Sequence, residues 1–188
     1  MSKGNRWIKW SDLDDRQRMT CLCIAQFDMY QALYARNLAA QLSKDAADPE
    51  SEPFVVASDM AAIRYARPFR RSVLLRSNCS TALPDDPYLD RFSESEWALH
   101  VRVLALRDQV TAHGDHKRRN VHVGLFLDPE DGNLKVRSHI DHECLGKTEL
   151  SLLLDMLLKV LQPVEKDIAE IQPRLLPKLT LQSGKVSL

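Results

Sequence analysis

The stretch Trp97–His116, WALHVRVLALRDQVTAHGDH, decides how the chain is read. Trp97, Val101 and Leu104 fall in one apolar row at helical spacing, and Val103, Leu106 and Val110 in another. Ahead of them, Ser93-Glu94-Ser95-Glu96 has the form of a capping box, in which the N-cap serine and the N3 glutamate satisfy each other's backbone donors. Gly114 suits the position just past a helix end, where a left-handed residue closes the last turn. Between these bounds lie Arg107, Asp108 and His113, so an apolar helix ends in a polar group.

The residues upstream continue the helical pattern. Ser11 reads as an N-cap with Asp12, Asp14 and Asp15 in the first turn. Leu22, Ala25, Met29, Ala32, Leu33 and Arg36 then recur at helical spacing in a long helix ending near Ser43. Lys44–Pro53 is acidic and polar and reads as a linker. A second helix is expected from Ser58 as N-cap, broken or kinked at Arg67 by Pro68, and resuming through Phe69, Val73 and Leu74 to Arg76. With a mild kink, Arg64, Arg67 and Arg71 share one stripe. Asp59 is the one acid of that element, so the stripe is a candidate phosphate contact; the alternative is a solvated face. Asn78–Phe92 reads as a loop.

Downstream, a basic turn (His116, Lys117, Arg118, Arg119) leads into a change of period. Val121, Val123, Leu125 and Leu127 alternate with other residues, DPEDGN supplies turn chemistry, and Leu134, Val136, Ser138 and Ile140 alternate again. A β-hairpin near 121–140 follows from this, packed against the helices. Thr148 caps a last helix through Leu161, bent by Pro163 and carried on to Ile171. Its leucines nearly encircle it around Leu152–Leu158, which suits the centre of a bundle or a dimer seam. Met1–Trp10, with Trp7 and Trp10 among Lys3, Arg6 and Lys9, is either a tail docked by its tryptophans or an arm that stacks on bases. Pro173–Leu188 reads as a loose tail.

Composition bounds the function. At 188 residues the chain has the size of a single domain, residues 1–188, with a real core. Lys+Arg and Asp+Glu stand at 26 each, so nucleic-acid binding requires a local patch. No apolar run suits a membrane span, and Met1–Trp10 lacks the apolar core of a secretory leader. Cys21, Cys23, Cys79 and Cys144 have no zinc spacing and suit reduced thiols packed in the core. A cytoplasmic chain without a membrane partner is expected.

Two arginine–histidine pairs have similar spacing, Arg107 to His113 and Arg137 to His142, but only the first is held on a helix. LRDQVTAHGD (Leu106–Asp115) resembles the signature of the HEPN superfamily, the helical RNases of toxin–antitoxin and abortive-infection systems. The resemblance covers roughly residues 12–171, with the insertion 117–140 outside the usual minimal bundle. It implies an all-α fold, an antiparallel four- to five-helix bundle carrying the hairpin insertion, and it assigns Arg107, Asp108 and His113 as catalytic. It also implies RNA as substrate, a homodimer with the motif helix at its interface, and an antitoxin protein as a candidate partner. No cofactor and no metal are implied. Asp115 stands where one branch carries a tyrosine modified by its antitoxin, so that regulation is not expected here.

The chemistry fits these residue types. Attack of the RNA 2′-OH on the adjacent phosphorus gives a 2′,3′-cyclic phosphate and a 5′-OH end. Histidine supplies acid and base near neutrality. Arginine holds the phosphoryl charge, and Asp108 orients either group. Six helical residues rise about 9 Å, so one copy spans a phosphate poorly and two copies across a two-fold axis would complete the site. Arg64, Arg67, Arg71, His116, Lys117, Arg118 and Arg119 are the candidate RNA contacts. Two other readings stand beside this. His113-Gly114-Asp115-His116 and His139-Ile140-Asp141-His142, with His122 and Glu143, suit a metal-dependent phosphohydrolase. A non-catalytic RNA- or nucleotide-binding module, or a toxin–antitoxin partner, is the third. The plainest alternative makes Arg107 and Asp108 surface groups and His113 a histidine favoured by a helix C-terminus.

Overall fold

The computed structural model describes residues 6–7, 9–45, 52–70, 72–74, 79–111, 120–127, 134–141, 144–176, 180–182 and 185–187, with side chains for 9–43, 53–70, 82–84, 87–108 and 144–176. The class is all-α. In chain order, β1 (Arg6–Trp7) precedes a 3-10 turn at Trp10–Asp12, and α1 (Asp15–Asp45) is followed by α2 (Glu52–Ala66). A second 3-10 turn, Arg67–Phe69, leads to β2 (Ser72–Leu74), β3 (Cys79–Thr81) and the short α3 (Asp85–Tyr88). Then come α4 (Glu94–Thr111), β4 (Asn120–Leu127), β5 (Leu134–Asp141), α5 (Lys147–Leu175), β6 (Thr180–Gln182) and β7 (Lys185–Ser187). The backbones of β4 and β5 pair antiparallel from Asn120↔Asp141 to Leu127↔Leu134. β1 and β2 flank β3, and β6 pairs with β7.

Helix α1 packs on α2 and α5, and α4 packs on the same two helices, so α1 and α4 stand at opposite corners of the four. Polar contacts give directions. Asp15 meets Arg174, Tyr30 meets Glu165 and Arg36 meets the Leu150 carbonyl, so α1 and α5 run antiparallel. Glu96 meets Lys159 and Arg102 meets Glu149, so α4 and α5 do too. The core joins Leu22, Ala25, Met29, Ala32 and Ala39 of α1 to Ala57, Ala61, Tyr65 and Ala66 of α2 and to Leu150, Leu153, Leu157, Val160 and Val164 of α5. Alanines on both sides of the α1–α2 contact let the two helices approach closely. The leucines of α5 thus serve mostly as bundle centre, although Leu158 is exposed.

Several expected boundaries move, each for a local reason. The α1 cap is Asp14, not Ser11: Gln17 N–H donates to Asp14 Oδ1 at 2.7 Å, and Asp14 N–H donates to Gln17 Oε1 at 3.0 Å. Helix α2 starts at Glu52, and Pro53 sits in its first turn, where no N–H is needed. Ser58 is therefore not a cap; buried in α2, it accepts from Leu145 N–H at 2.8 Å. Pro68 does end α2, but no helix resumes. Arg70 is extended (φ −107°, ψ 140°) and β2 follows. Asn78–Phe92 is not all loop, since it contains β3 and α3. Gly146, rather than Thr148, caps α5, with Glu149 accepting from its N–H at 3.0 Å. Helix α5 continues through Pro163 to Leu175, burying Ile171 and Leu175, so the tail is shorter than expected. Cys21 is buried but Cys23 is exposed, so core packing does not describe both thiols. Trp10 meets Tyr88 edge-on at 6.2 Å, which docks the start of the chain by a tryptophan.

One buried charge joins α1 to the end of α2. Asp28 is 2% exposed, and Arg64 and Arg67 each donate to its Oδ1 at 3.0 Å. A buried carboxylate left alone is costly, whereas one shared by two guanidiniums tolerates the loss of either. Arg64→Ala or Arg67→Ala alone should cost about 1 kcal/mol, and the double substitution about 3 kcal/mol or more. Urea unfolding of the four proteins checks this; strictly additive losses would contradict a shared carboxylate.

Candidate functional site

Helix α4 is anchored before it reaches the motif. Ser93 N–H donates to Glu96 Oε2 at 2.6 Å and Glu96 N–H donates to Ser93 Oγ at 3.3 Å, the reciprocal bonds of a capping box. Lys159 of α5 bonds both Glu96 oxygens at 2.7 Å. The helix then buries Leu99, Val103 and Leu106. Its polar and apolar faces are partly exchanged, because Glu96 and His100 are buried while Trp97 and Val101 are exposed. Two things make this exchange tolerable. Glu96 is paired, and His100 lies among rings: Trp97 stacks on it at 5.2 Å, and Phe69, Phe92 and Tyr65 meet it edge-on. Tyr65 and His100 Nδ1 also share a hydrogen bond of 2.8 Å. Burial, with the nearby Glu96 charge, holds the Tyr65 hydroxyl well above the ordinary tyrosine range.

The site proper lies at the far end of α4. Arg107 Nη1 donates to Asp108 Oδ1 at 3.0 Å, and Arg70 Nη2 donates to Asp108 Oδ2 at 2.7 Å. Arg70 reaches there because of the 3-10 turn. Arg67 begins that turn and points to Asp28 on α1; Arg70 closes it, donating its N–H to the Arg67 carbonyl at 3.1 Å, and points to Asp108 on α4. Phe69 between them packs on Tyr65 and His100. All three groups of the cluster are partly exposed, so two guanidiniums that meet on one carboxylate reach solvent together. Such a cluster can take a phosphate oxygen, with guanidinium donors replacing or sharing the carboxylate.

The expected contacts divide accordingly. Arg107 and Asp108 are brought together with Arg70, a residue outside the expected set. Arg64 and Arg67 share Asp28, which corrects the view of them as a stripe without a carboxylate. The signal for that partner was an aspartate on the apolar face of α1, one turn from Ala25 and Ala32. Arg71, Gly114, His113, His116, Lys117, Arg118, Arg119, His142 and Glu143 lie outside the described residues. So do the side chains of His122, His139 and Asp141, although the backbone register places His122 opposite His139. Among the described residues no group of three His, Cys, Asp or Glu could hold a metal, and no helix is long and apolar enough to cross a membrane. Comparison of the chain with protein-family models, curated proteins and solved structures finds no match.

The anchor of the motif helix depends on pH. Burial alone would raise the Glu96 carboxyl, but Lys159 and the Ser93 bonds outweigh it and hold the group below its ordinary value. A carboxylate depressed on folding stabilises fully above the unfolded value and loses that contribution as pH falls through the folded one. Below the ordinary value of 4.5, wild-type thermal midpoints should therefore fall more steeply with acid than those of Glu96→Gln. Parallel curves in calorimetry would show that Glu96 is not the acid-sensitive anchor.

Proposed function

We propose that the chain is a metal-independent endoribonuclease built on a HEPN-like bundle with the 121–140 hairpin as an insertion. The observation that carries this reading is the meeting of Arg70 and Arg107 on Asp108 at the end of α4. A scissile phosphate needs cationic donors held in place before the reaction, because preorganised charge stabilises the developing phosphorane. Arg107 takes that role, Asp108 orients it, and His113, five residues further on, serves as acid and base. Arg71 and the basic turn His116–Arg119 extend the contact along RNA, whereas Arg64 and Arg67 are engaged by Asp28. The products are a 2′,3′-cyclic phosphate and a 5′-OH end.

Two copies complete the site, with α4 at a two-fold axis. The exposed Trp97 and Val101 on the motif helix support that placement, since large apolar groups left on a surface mark contacts. The partners in this reading are RNA, a second copy and an antitoxin protein, in the cytoplasm. The test is incubation with RNA in EDTA, comparing wild type with His113→Ala and Arg107→Ala. Arg107→Ala should lower kcat/KM by about 10²- to 10³-fold, and His113→Ala should abolish turnover. Cleavage that survives both substitutions overturns the assignment. Activity lost in EDTA and restored by a divalent ion moves the chemistry to His116, His139 and His142. Binding without cutting makes the chain a non-catalytic RNA-binding module or toxin–antitoxin partner.

A further inference from the structure

Helix α1 is apolar on two opposite sides. One side faces the core. The other carries Ile24, Phe27, Tyr30, Tyr34 and Leu38, which keep 41%, 58%, 48%, 71% and 40% of their surface in contact with solvent. Ile24, Phe27, Gln31, Tyr34 and Leu38 follow one another at alternating steps of three and four, the spacing of a coiled-coil seam. Tyr30 flanks this row and ties its edge to α5 through Glu165.

The charge pattern of this face is unusual for a surface helix. Between Met19 and Ser43 the only ionised side chains are Asp28 and Arg36. Asp28 is buried against Arg64 and Arg67, and Arg36 Nε donates to the Leu150 carbonyl of α5 at 2.7 Å. The outward side therefore offers aromatic and aliphatic groups flanked by Thr20, Cys23, Asn37 and Gln41. Depletion of charge with enrichment of aromatic groups characterises the centres of protein interfaces.

The same pattern selects the occupant. A nucleic acid requires cations, and among the described residues of α1 between Thr20 and Gln41 none points outward on this face. A helix lying on a membrane surface carries lysine and arginine along its polar side, which this one lacks over that length. A charged protein partner would find little to pair with among the described residues, since Glu165 at the edge is already bound by Tyr30. A second α1 is matched to it, because an uncharged seam meets an uncharged seam and both copies satisfy one another across a two-fold axis. Gln31 in the middle of the row supplies the polar group that fixes register in such seams.

We propose that the outward face of α1 is a second homotypic interface, formed by antiparallel pairing of two α1 helices. It does not depend on the ribonuclease reading, and its face lies at the opposite corner of the bundle from α4. Each exposed aromatic group contributes a large part of its roughly 150–250 Å². The stripe thus offers on the order of 500 Å² per copy, and the pair about 1,000 Å², at the lower edge of specific interfaces. An interface of that size suits a weak or transient association.

Sedimentation velocity of the full chain, from about 1 to about 100 µM, measures this association. Trp97→Glu with Val101→Glu disfavours association through the α4 face, and with Val101→Glu alone or with both changes the chain should still shift from monomer to dimer with concentration. Adding Phe27→Glu and Tyr34→Glu should weaken the remaining association about 100-fold or more. Phe27→Ser with Tyr34→Ser should do the same in direction. Helicity and thermal midpoint should stay unchanged, because these side chains are mostly outside the core. A Val101→Glu chain that stays monomeric to the highest concentration overturns the proposal. So does an association that the Phe27 and Tyr34 changes leave intact.

Discussion

The pairing of one buried carboxylate fixes the end of α2 and the arginines of the turn that follows it. Asp28 lies inside the α1–α2 contact, where an unpaired charge could not be kept. It takes Arg64 from the last turn of α2 and Arg67 from the 3-10 turn that follows. Because Arg67 is held towards α1, the turn presents its last residue the other way, and Arg70 meets Asp108 on α4. Pro68 contributes by withholding the N–H that a continuing helix would need. The site at the end of α4 is therefore set by packing two helices away.

Helix α4 shows how the bundle accommodates polar groups within its core. Glu96 and His100 occupy positions that aliphatic residues would fill in a simpler bundle. Lys159 supports the first, and four aromatic rings surround the second. The apolar groups displaced by this exchange, Trp97 and Val101, are left at the surface on the same helix that carries Arg107 and Asp108. Polar burial and surface hydrophobicity are here two sides of one arrangement.

Much of this was legible in the sequence where the signal is local. The four long helices follow from apolar periodicity, and the Ser93–Glu96 box announces the start of α4 with both of its bonds. Asp14–Gln17 is the same chemistry one step removed, and it prevails over Ser11 because its two groups reciprocate. Pro53 misled as a linker residue because proline is equally at home in a first helical turn. Of the cluster that Arg70, Arg107 and Asp108 form, Arg107 and Asp108 were legible in the sequence. Arg70 was hidden because helical spacing joins Arg64, Arg67 and Arg71, whereas the actual path leaves the helix at Ala66. Asp28 was hidden because one polar residue on an apolar face does not reveal which distant cation will meet it.

The corner-to-corner placement of α1 and α4 bears on the geometry of any larger assembly. A protein with one self-complementary face stops growing at two copies. A protein with two such faces on opposite sides of the same bundle does not stop there. If the two axes intersect at right angles, four copies close into a compact particle; other closing angles give larger rings, and axes that do not meet let each copy hand growth on to the next, so that a fibre results. The angle at which α1 and α4 cross within one bundle would then set the form of the polymer, and a single packing angle inside the monomer would be read out at the scale of the assembly.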